Sequence, residues 1–143
     1  MLNSSEEKIR KKGEELFNDW DIKLIHEFDV AKKFLNKNTI EILENEDFLH
    51  DFDIEKIVID NMDCNLINIY FILVKEEKKY KLLFETVSKY TFDIKDVDDF
   101  IDKIEVGYLE IYKKKNFYKI IITCDISSYF YICCKNIKVE LSV

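Results

Sequence analysis

From Thr39 onward, apolar residues recur at about every second position, and this period constrains the fold more than any other feature of the sequence. A period of two places successive side chains on opposite faces of a β-strand. Connections between the apolar runs are mostly short and polar, which favours antiparallel hairpins over parallel crossovers. The pattern predicts eight strands, over Thr39–Leu43, Asp53–Asp60, Asn65–Lys75, Lys79–Ser88, Glu105–Lys113, Phe117–Ile126, Tyr129–Cys134 and Ile137–Ser142.

Two of these strands differ in how they should be buried. Leu66–Val74 is apolar at almost every position, so we expect both of its faces to be covered in the centre of a sheet. In Ile137–Ser142, apolar and polar residues alternate, which predicts one solvated face near a sheet edge.

The N-terminal part of the chain follows a helical period instead. Ser4 and Glu7 fit a capping box, and apolar residues then recur at steps of three and four. They predict an amphipathic helix from about Ser5 to Asp19 and a second one centred on Glu27–Leu35, separated by residues that alternate like a strand. A further short helix is expected near residues 94–104.

Together these patterns predict an α+β fold in a single domain over residues 1–143. Residues 1–38 form a helical N-terminal segment that packs on a large antiparallel β-sheet over residues 39–143. A sheet of this many strands rarely stays flat, so we expect it to curl or to double into a sandwich.

The composition argues against catalysis. The chain is 14% aromatic but holds 2 glycines, no proline and 2 histidines. Phosphate-binding loops need glycine, and acid/base or zinc chemistry often uses histidine. We therefore expect no enzyme activity, no cofactor and no metal, and surplus aromatic residues that suit partner binding.

Charge narrows the range of partners. A net charge of −7 repels nucleic acid and anionic membranes, and the three lysines at Lys113–Lys115 suit a solvated hairpin turn. No signal peptide or membrane-spanning run is apparent, so we expect a cytoplasmic protein. Its cysteines, Cys64, Cys124, Cys133 and Cys134, should be reduced and buried.

His50-Asp51 is the one dipeptide that could serve a metal phosphohydrolase. Such a site needs several more histidine and aspartate ligands, and His26 is the only other histidine. We expect a structural role instead, with Asp51 or Asp53 accepting backbone N–H groups where the strand Ile54–Ile59 begins.

Two sets of residues are candidates for partner binding. Acidic residues cluster at Asp96, Asp98, Asp99 and Asp102, without the mid-loop glycine of an EF-hand. They form either a solvated helix face or an acidic docking patch for a basic partner. Tyr129 and Tyr131 share one strand face, opposite Phe130 and Ile132, and would offer a contact surface if their face is exposed.

A family resemblance starts at the run Phe48-Leu-His-Asp-Phe-Asp-Ile-Glu-Lys-Ile57. With the apolar Leu66–Val74, Leu82-Leu-Phe84, Val87 and the closing segment Phe130–Val139, this run resembles small β-rich immunity proteins encoded beside bacterial polymorphic or contact-dependent toxins. The similarity covers about two thirds of the chain. It implies a protein that binds and blocks a toxin and catalyses no reaction.

The sequence thus leads to a non-catalytic cytosolic protein-binding module, of the immunity or antitoxin type. Two alternatives stay open. One is a small-ligand-binding or enzymatic β domain with a pocket lined by tyrosine and cysteine, and the other is self-association as a homodimer through an exposed sheet edge.

Overall fold

The computed structural model of the chain describes residues 4–63, 66–94, 104–124 and 128–142. Two helices come first, α1 (Ser4–Ala31) and α2 (Lys37–Asn45), with a short 3-10 turn (Lys32–Phe34) between them and another (Asp47–Leu49) after α2. Six strands follow: β1 (Asp53–Asp63), β2 (Leu66–Lys75), β3 (Lys78–Asp93), β4 (Val106–Lys113), β5 (Tyr118–Cys124) and β6 (Tyr129–Leu141).

The six strands form one antiparallel sheet in the order β1-β2-β3-β6-β5-β4, so β1 and β4 are its edges. Successive strands are hairpin neighbours except at the connection from β3 to β4, which crosses to the far edge. The two edges meet at one end, where Val106 N–H donates to the Phe52 carbonyl at 2.8 Å and Asp51 N–H donates to the Val106 carbonyl at 2.9 Å. The predicted α+β fold with a curled antiparallel sheet is therefore confirmed.

The inner face of the curled sheet carries the core. Four phenylalanines from three strands pack edge to face at its centre, with centroid distances of 5.8 Å for Phe71–Phe84, 5.2 Å for Phe71–Phe130 and 5.1 Å for Phe92–Phe130. Phe28, Ala31, Leu35 and Leu43 from the helical segment belong to the same buried cluster. The helical segment therefore shares one core with the sheet.

The predicted strand Thr39–Leu43 is wrong, because these residues lie in α2. The Asn36 side chain caps the helix by accepting the Thr39 N–H at 2.7 Å. Thr39 and Leu43, four positions apart, are both fully buried. β-Branched residues at alternating positions suggested a strand, but the cap and the helical spacing of the buried pair decide the local structure.

Helix α2 covers an open edge of β6. β5 pairs only with the Tyr129–Cys134 part of β6, so the following residues have no strand on that side. There the Thr39 hydroxyl accepts the Val139 N–H at 3.0 Å, and the Asn38 amide donates to the Val139 carbonyl at 3.3 Å. The helix therefore provides hydrogen-bond partners that a neighbouring strand would otherwise provide.

Two predicted breaks are also wrong. Helix α1 runs unbroken from Ser4 to Ala31, in place of two separate helices. Strand β6 is continuous where a turn at Lys135-Asn136 was expected. The polar residues of this stretch bond to β3 instead: the Asn136 amide donates to Glu85 at 3.1 Å, and Lys138 pairs with the same carboxylate at 2.9 Å.

The burial of β2 differs from the prediction, whereas that of β6 agrees with it. β2 lies between β1 and β3, with Ile69, Phe71 and Leu73 buried, but its opposite face is only half-buried, because the outer face of the sheet is partly open. In β6, Ile137 and Val139 are buried as expected from the alternation.

The predicted helix near residues 94–104 falls mostly outside the described residues. No helix in the described part of the chain has the length and apolarity to cross a membrane.

Candidate functional site

A hollow with a volume of about 350 Å³ lies between the C-terminal half of α1, the Asp47–Leu49 turn and strand β4. We call it the α1–β4 hollow. Its walls are mainly apolar and combine helix, turn and edge-strand side chains with three carboxylates and one imidazole. Its lining residues are Asp21, Leu24, Ile25, Phe28, Asp47, Phe48, His50, Gly107, Tyr108, Leu109, Glu110 and Ile111.

The Asp47–Leu49 turn has a strained backbone. Its three residues all have positive φ, at 49° for Asp47, 54° for Phe48 and 63° for Leu49, although none is glycine. This conformation costs roughly 1–2 kcal/mol per non-glycine residue. Strain of this kind persists only where the surroundings enforce it, and it is concentrated at functional sites.

Packing holds the strained turn in place. Leu49 is fully buried, and the Phe48 ring packs edge to face on Phe28 of α1 at a centroid distance of 4.8 Å. The Glu46 carbonyl accepts the Leu49 N–H at 2.9 Å. In this conformation Asp47 and Phe48 both line the hollow.

His50 ties this turn to β4. Its Nδ1 lies 2.7 Å from the Gly107 carbonyl oxygen, and because a carbonyl only accepts, Nδ1 carries the proton. The ring Nε2 lies 3.3 Å from the Asp51 carboxylate. His50 thus bridges two distant parts of the chain, and the Asp51 carboxylate, which was expected to accept backbone N–H groups, faces the imidazole. Within the described residues, no three His, Cys, Asp or Glu side chains are grouped to hold a metal ion.

Gly107 lies at a β-bulge, where the pairing of β4 with β5 shifts register between Val106 and Tyr108. A Cβ atom on Gly107 would lie 2.9 Å from the Thr123 carbonyl oxygen, closer than side chains normally approach a backbone atom. The bulge therefore requires glycine, and it sets the direction of the carbonyl that His50 binds.

Gly107→Ala is expected to lower the free energy of unfolding by roughly 1–3 kcal/mol, because β4 must move away from β5 to admit the methyl group. Urea denaturation followed by circular dichroism measures this. Lys115→Ala, at an exposed position beyond the end of β4, serves as the control and should change stability by less than about 0.5 kcal/mol. Equal stability of Gly107→Ala and the wild type would contradict the tight approach.

The backbone of β4 adds polar groups to the hollow. At the end of the β4–β5 hairpin, the Lys114 N–H donates to the Phe117 carbonyl at 2.8 Å. In an antiparallel pair, hydrogen-bonded and non-bonded positions alternate, so the N–H and C=O groups of Leu109 and Ile111 face away from β5. β4 is an edge strand and α1 packs beside it, so these groups face the helix.

The three carboxylates of the hollow have no cationic partner. Among the described residues, no lysine, arginine or histidine nitrogen lies within 4 Å of Asp21, Asp47 or Glu110. Glu110 accepts a hydrogen bond of 2.6 Å from the Tyr112 hydroxyl. Burial, and then this bond to Glu110, raise the pKa of Tyr112, so the hydroxyl remains a donor at neutral pH. The hollow is thus negative and open to a cation.

Exposed tyrosines adjoin the hollow. Tyr108 is 42% exposed, and its ring packs edge to face on Trp20 of α1 at 4.9 Å. Tyr108 pairs with Thr123, which pairs with Tyr129 on the same outer face. Adjacent strands lie about 4.8 Å apart, so Tyr108 and Tyr129 are roughly 10 Å from each other.

The predicted face of Tyr129 and Tyr131 is the outer one. Tyr129 is 38% exposed and Tyr131 is half-buried, whereas Phe130 and Ile132 on the opposite face are fully buried. The Tyr131 hydroxyl lies 3.4 Å from the Cys133 sulfur. The other predicted contact residues, Asp96, Asp98, Asp99 and Asp102, lie outside the described residues.

The described cysteines, Cys124, Cys133 and Cys134, are buried, as predicted. Burial raises the pKa of the Cys134 thiol to about 12, so it stays protonated at neutral pH. None of the three lines the hollow, so the tyrosine- and cysteine-lined pocket of the alternative hypothesis does not describe it. Cys64 lies outside the described residues.

Sequence reasoning missed most of the hollow. Leu24 and Phe28 have helical spacing in the sequence, but that spacing is equally typical of core residues. Asp21, Asp47 and Glu110 come from three separate elements, and nothing in their sequence surroundings connects them. The left-handed turn has no glycine or asparagine to indicate it.

No protein-family model matches this chain, and no curated protein shows significant sequence similarity to it. Its function is therefore inferred from the geometry of the molecule.

Proposed function

We propose that this protein is a non-catalytic, cytosolic protein-binding module, an immunity or antitoxin-type inhibitor that binds and blocks a toxin. The observation that carries the proposal is the α1–β4 hollow, in which three carboxylates without a cationic partner surround apolar walls beside exposed tyrosines. The resemblance of the segment from Phe48 onward to immunity proteins supports the choice of a toxin as the partner.

The mixture of side chains suits a protein interface. Interfaces combine apolar and aromatic anchors with a polar rim, and tyrosine is one of the residues that contribute most to binding energy. Here Tyr108 and Tyr129 are both exposed on the same outer face, roughly 10 Å apart, and Ile25 of α1, in the wall of the hollow, is 58% exposed. A partner that covered the hollow would bury all three.

The charge favours a basic partner. The chain carries a net charge of −7, and the hollow concentrates part of that charge in one place. Complementary charge speeds association and disfavours wrong partners. An inhibitor that must capture a toxin soon after its arrival benefits from a fast association rate.

Co-expression with the product of the adjacent gene tests the proposal. We expect the two proteins to co-purify, and cells that produce the candidate toxin to survive only when this protein is present. Asp60→Asn, which removes an exposed charge on the opposite edge strand β1, should protect as well as the wild type. Absence of both a complex and protection would refute the inhibitor proposal.

One observation favours a second candidate, a small-ligand site. The volume of about 350 Å³ lies at the low end of the range for ligand pockets, roughly 300–1,000 Å³. The apolar walls and converging carboxylates would suit a small organic cation. Binding of such a cation without any protein partner would favour this function over inhibition.

A further inference from the structure

We infer that the α1–β4 hollow receives an arginine side chain from the partner protein; this inference rests on the proposed function and specifies the chemistry of the partner. The side chain enters with its hydrocarbon stem along the apolar walls and its guanidinium among the carboxylates of Asp21, Asp47 and Glu110. The partner is thus a protein that presents a basic anchor flanked by apolar residues.

Charge complementarity is the first argument. Like charges repel, and three carboxylates line one hollow with no cationic nitrogen of the described residues within 4 Å of them. The described lysines nearest in sequence to Glu110 have other contacts: Lys113 lies over the Phe34 ring, and Lys114 lies over the Tyr112 ring. A cation from outside would relieve this repulsion.

The apolar walls are the second argument. Leu24, Ile25 and Phe28 come from α1, while Phe48 and Leu109 face them from the turn and from β4. Arginine and lysine both bury a hydrocarbon stem against such a surface while the charged head reaches polar groups. A compact inorganic cation would leave these walls exposed to water, so a long side chain fits the hollow better.

The arrangement of acceptors selects arginine over lysine. A guanidinium has five N–H donors in a planar fork, and an ammonium has three. Besides the carboxylates, the hollow offers the carbonyl groups of Leu109 and Ile111, which face away from β5 toward α1. Acceptors on several sides of the hollow can bind more of the five guanidinium N–H groups than of the three ammonium N–H groups.

The strained turn supports the same role. Asp47 and Phe48 each contribute to the hollow, the first a carboxylate and the second an apolar wall, and both have left-handed backbones. Asparagine tolerates this conformation well, so Asp47→Asn removes charge without adding strain. The contribution of the Asp47 carboxylate to binding can therefore be tested without disturbing the fold.

Trp20 provides the readout. It is the only tryptophan of the chain, and its ring packs at 4.9 Å on Tyr108, a lining residue of the hollow. We would titrate the 143-residue chain with the peptide acetyl-Leu-Arg-Leu-amide and follow tryptophan fluorescence. The matched probes are the same peptide with citrulline, which is uncharged, the same peptide with lysine, and agmatine, a free guanidinium without flanking residues.

We expect the arginine peptide to give saturable binding that weakens as salt rises. The lysine peptide should bind several-fold more weakly, and the citrulline peptide and agmatine at least about tenfold more weakly. The double variant Asp21→Asn/Asp47→Asn should lose about tenfold or more in affinity for the arginine peptide, while Asp60→Asn should bind like the wild type. Unchanged circular dichroism of the double variant establishes that its fold is intact.

Several results would overturn the inference. Equal affinity for the citrulline peptide would remove the charge argument, and equal affinity for agmatine would assign the hollow to a small organic cation. Full binding by the double variant would place the arginine elsewhere. Because this titration needs no toxin, it can succeed while the co-expression test fails. Conversely, a toxin that binds the double variant as tightly as the wild type would refute the inference and leave the inhibitor proposal standing.

Discussion

Phe71→Ala is expected to lower the free energy of unfolding by about 3–5 kcal/mol. Phe71 is fully buried and packs edge to face on both Phe84 and Phe130. Its removal leaves a cavity between β2, β3 and β6 that these neighbours can fill only in part. Urea denaturation at equilibrium measures the loss.

The matched control is Phe34→Ala. Phe34 is 62% exposed, so the same chemical change removes little buried surface and should cost about 1 kcal/mol or less. If the two variants lost similar stability, the aromatic cluster would not be the centre of the core.

Thr39→Val is expected to cost about 1–3 kcal/mol, although it replaces one β-branched residue by another of nearly the same size. Valine cannot accept the Val139 N–H, which the Thr39 hydroxyl now accepts at 3.0 Å in a buried environment. The substitution therefore leaves a buried donor without a partner at the edge of β6.

Thr39→Ser distinguishes the contribution of the hydroxyl from that of the methyl group. It keeps the hydrogen-bond acceptor and loses only the burial of the methyl group, which is worth about 0.8 kcal/mol. Hydrogen exchange at the Val139 amide should be faster in Thr39→Val and nearly unchanged in Thr39→Ser. Equal protection of this amide in the wild type and Thr39→Val would show that α2 does not protect the edge of β6.

The strands could be predicted where the alternation of apolar and polar residues alone determines the local structure. The expected Glu105–Lys113 overlaps β4 closely, and Lys79–Ser88 lies within β3, which continues to Asp93, because one side of each strand faces the core. The prediction of strand ends failed where contacts with residues distant in the sequence determine the local structure. Lys135 and Asn136 look like a turn, yet Asn136 and Lys138 contact Glu85 on β3, and the strand continues through them. The sequence near residue 135 contains no sign of that partner.

In the helical segment, too, contacts with residues distant in the sequence outweigh local propensity. Thr39, Ile40 and Ile42 are good strand formers, but Asn36 caps a helix and burial selects the spacing of Thr39 and Leu43. Local propensity was outweighed by tertiary contacts with β6, about a hundred residues away along the chain.

The candidate site was the least predictable part of the molecule. The alternation of Tyr129 and Phe130 placed the two side chains on opposite faces of the strand, but it left open which of these faces is exposed. The hollow itself depends on a left-handed turn and on an edge strand that meets α1, and neither follows from periodicity. Its carboxylates come together only through the crossover from β3 to β4.

An amide chemical-shift map of the isotope-labelled protein, titrated with acetyl-Leu-Arg-Leu-amide, tests the central claim most directly. The predicted result is a set of saturable shifts at Asp21–Phe28, Asp47–His50 and Gly107–Ile111, extending to Tyr129 on the outer face. Shifts confined to the β1 edge or to the outer face of β2 and β3, with the hollow unaffected, would contradict it.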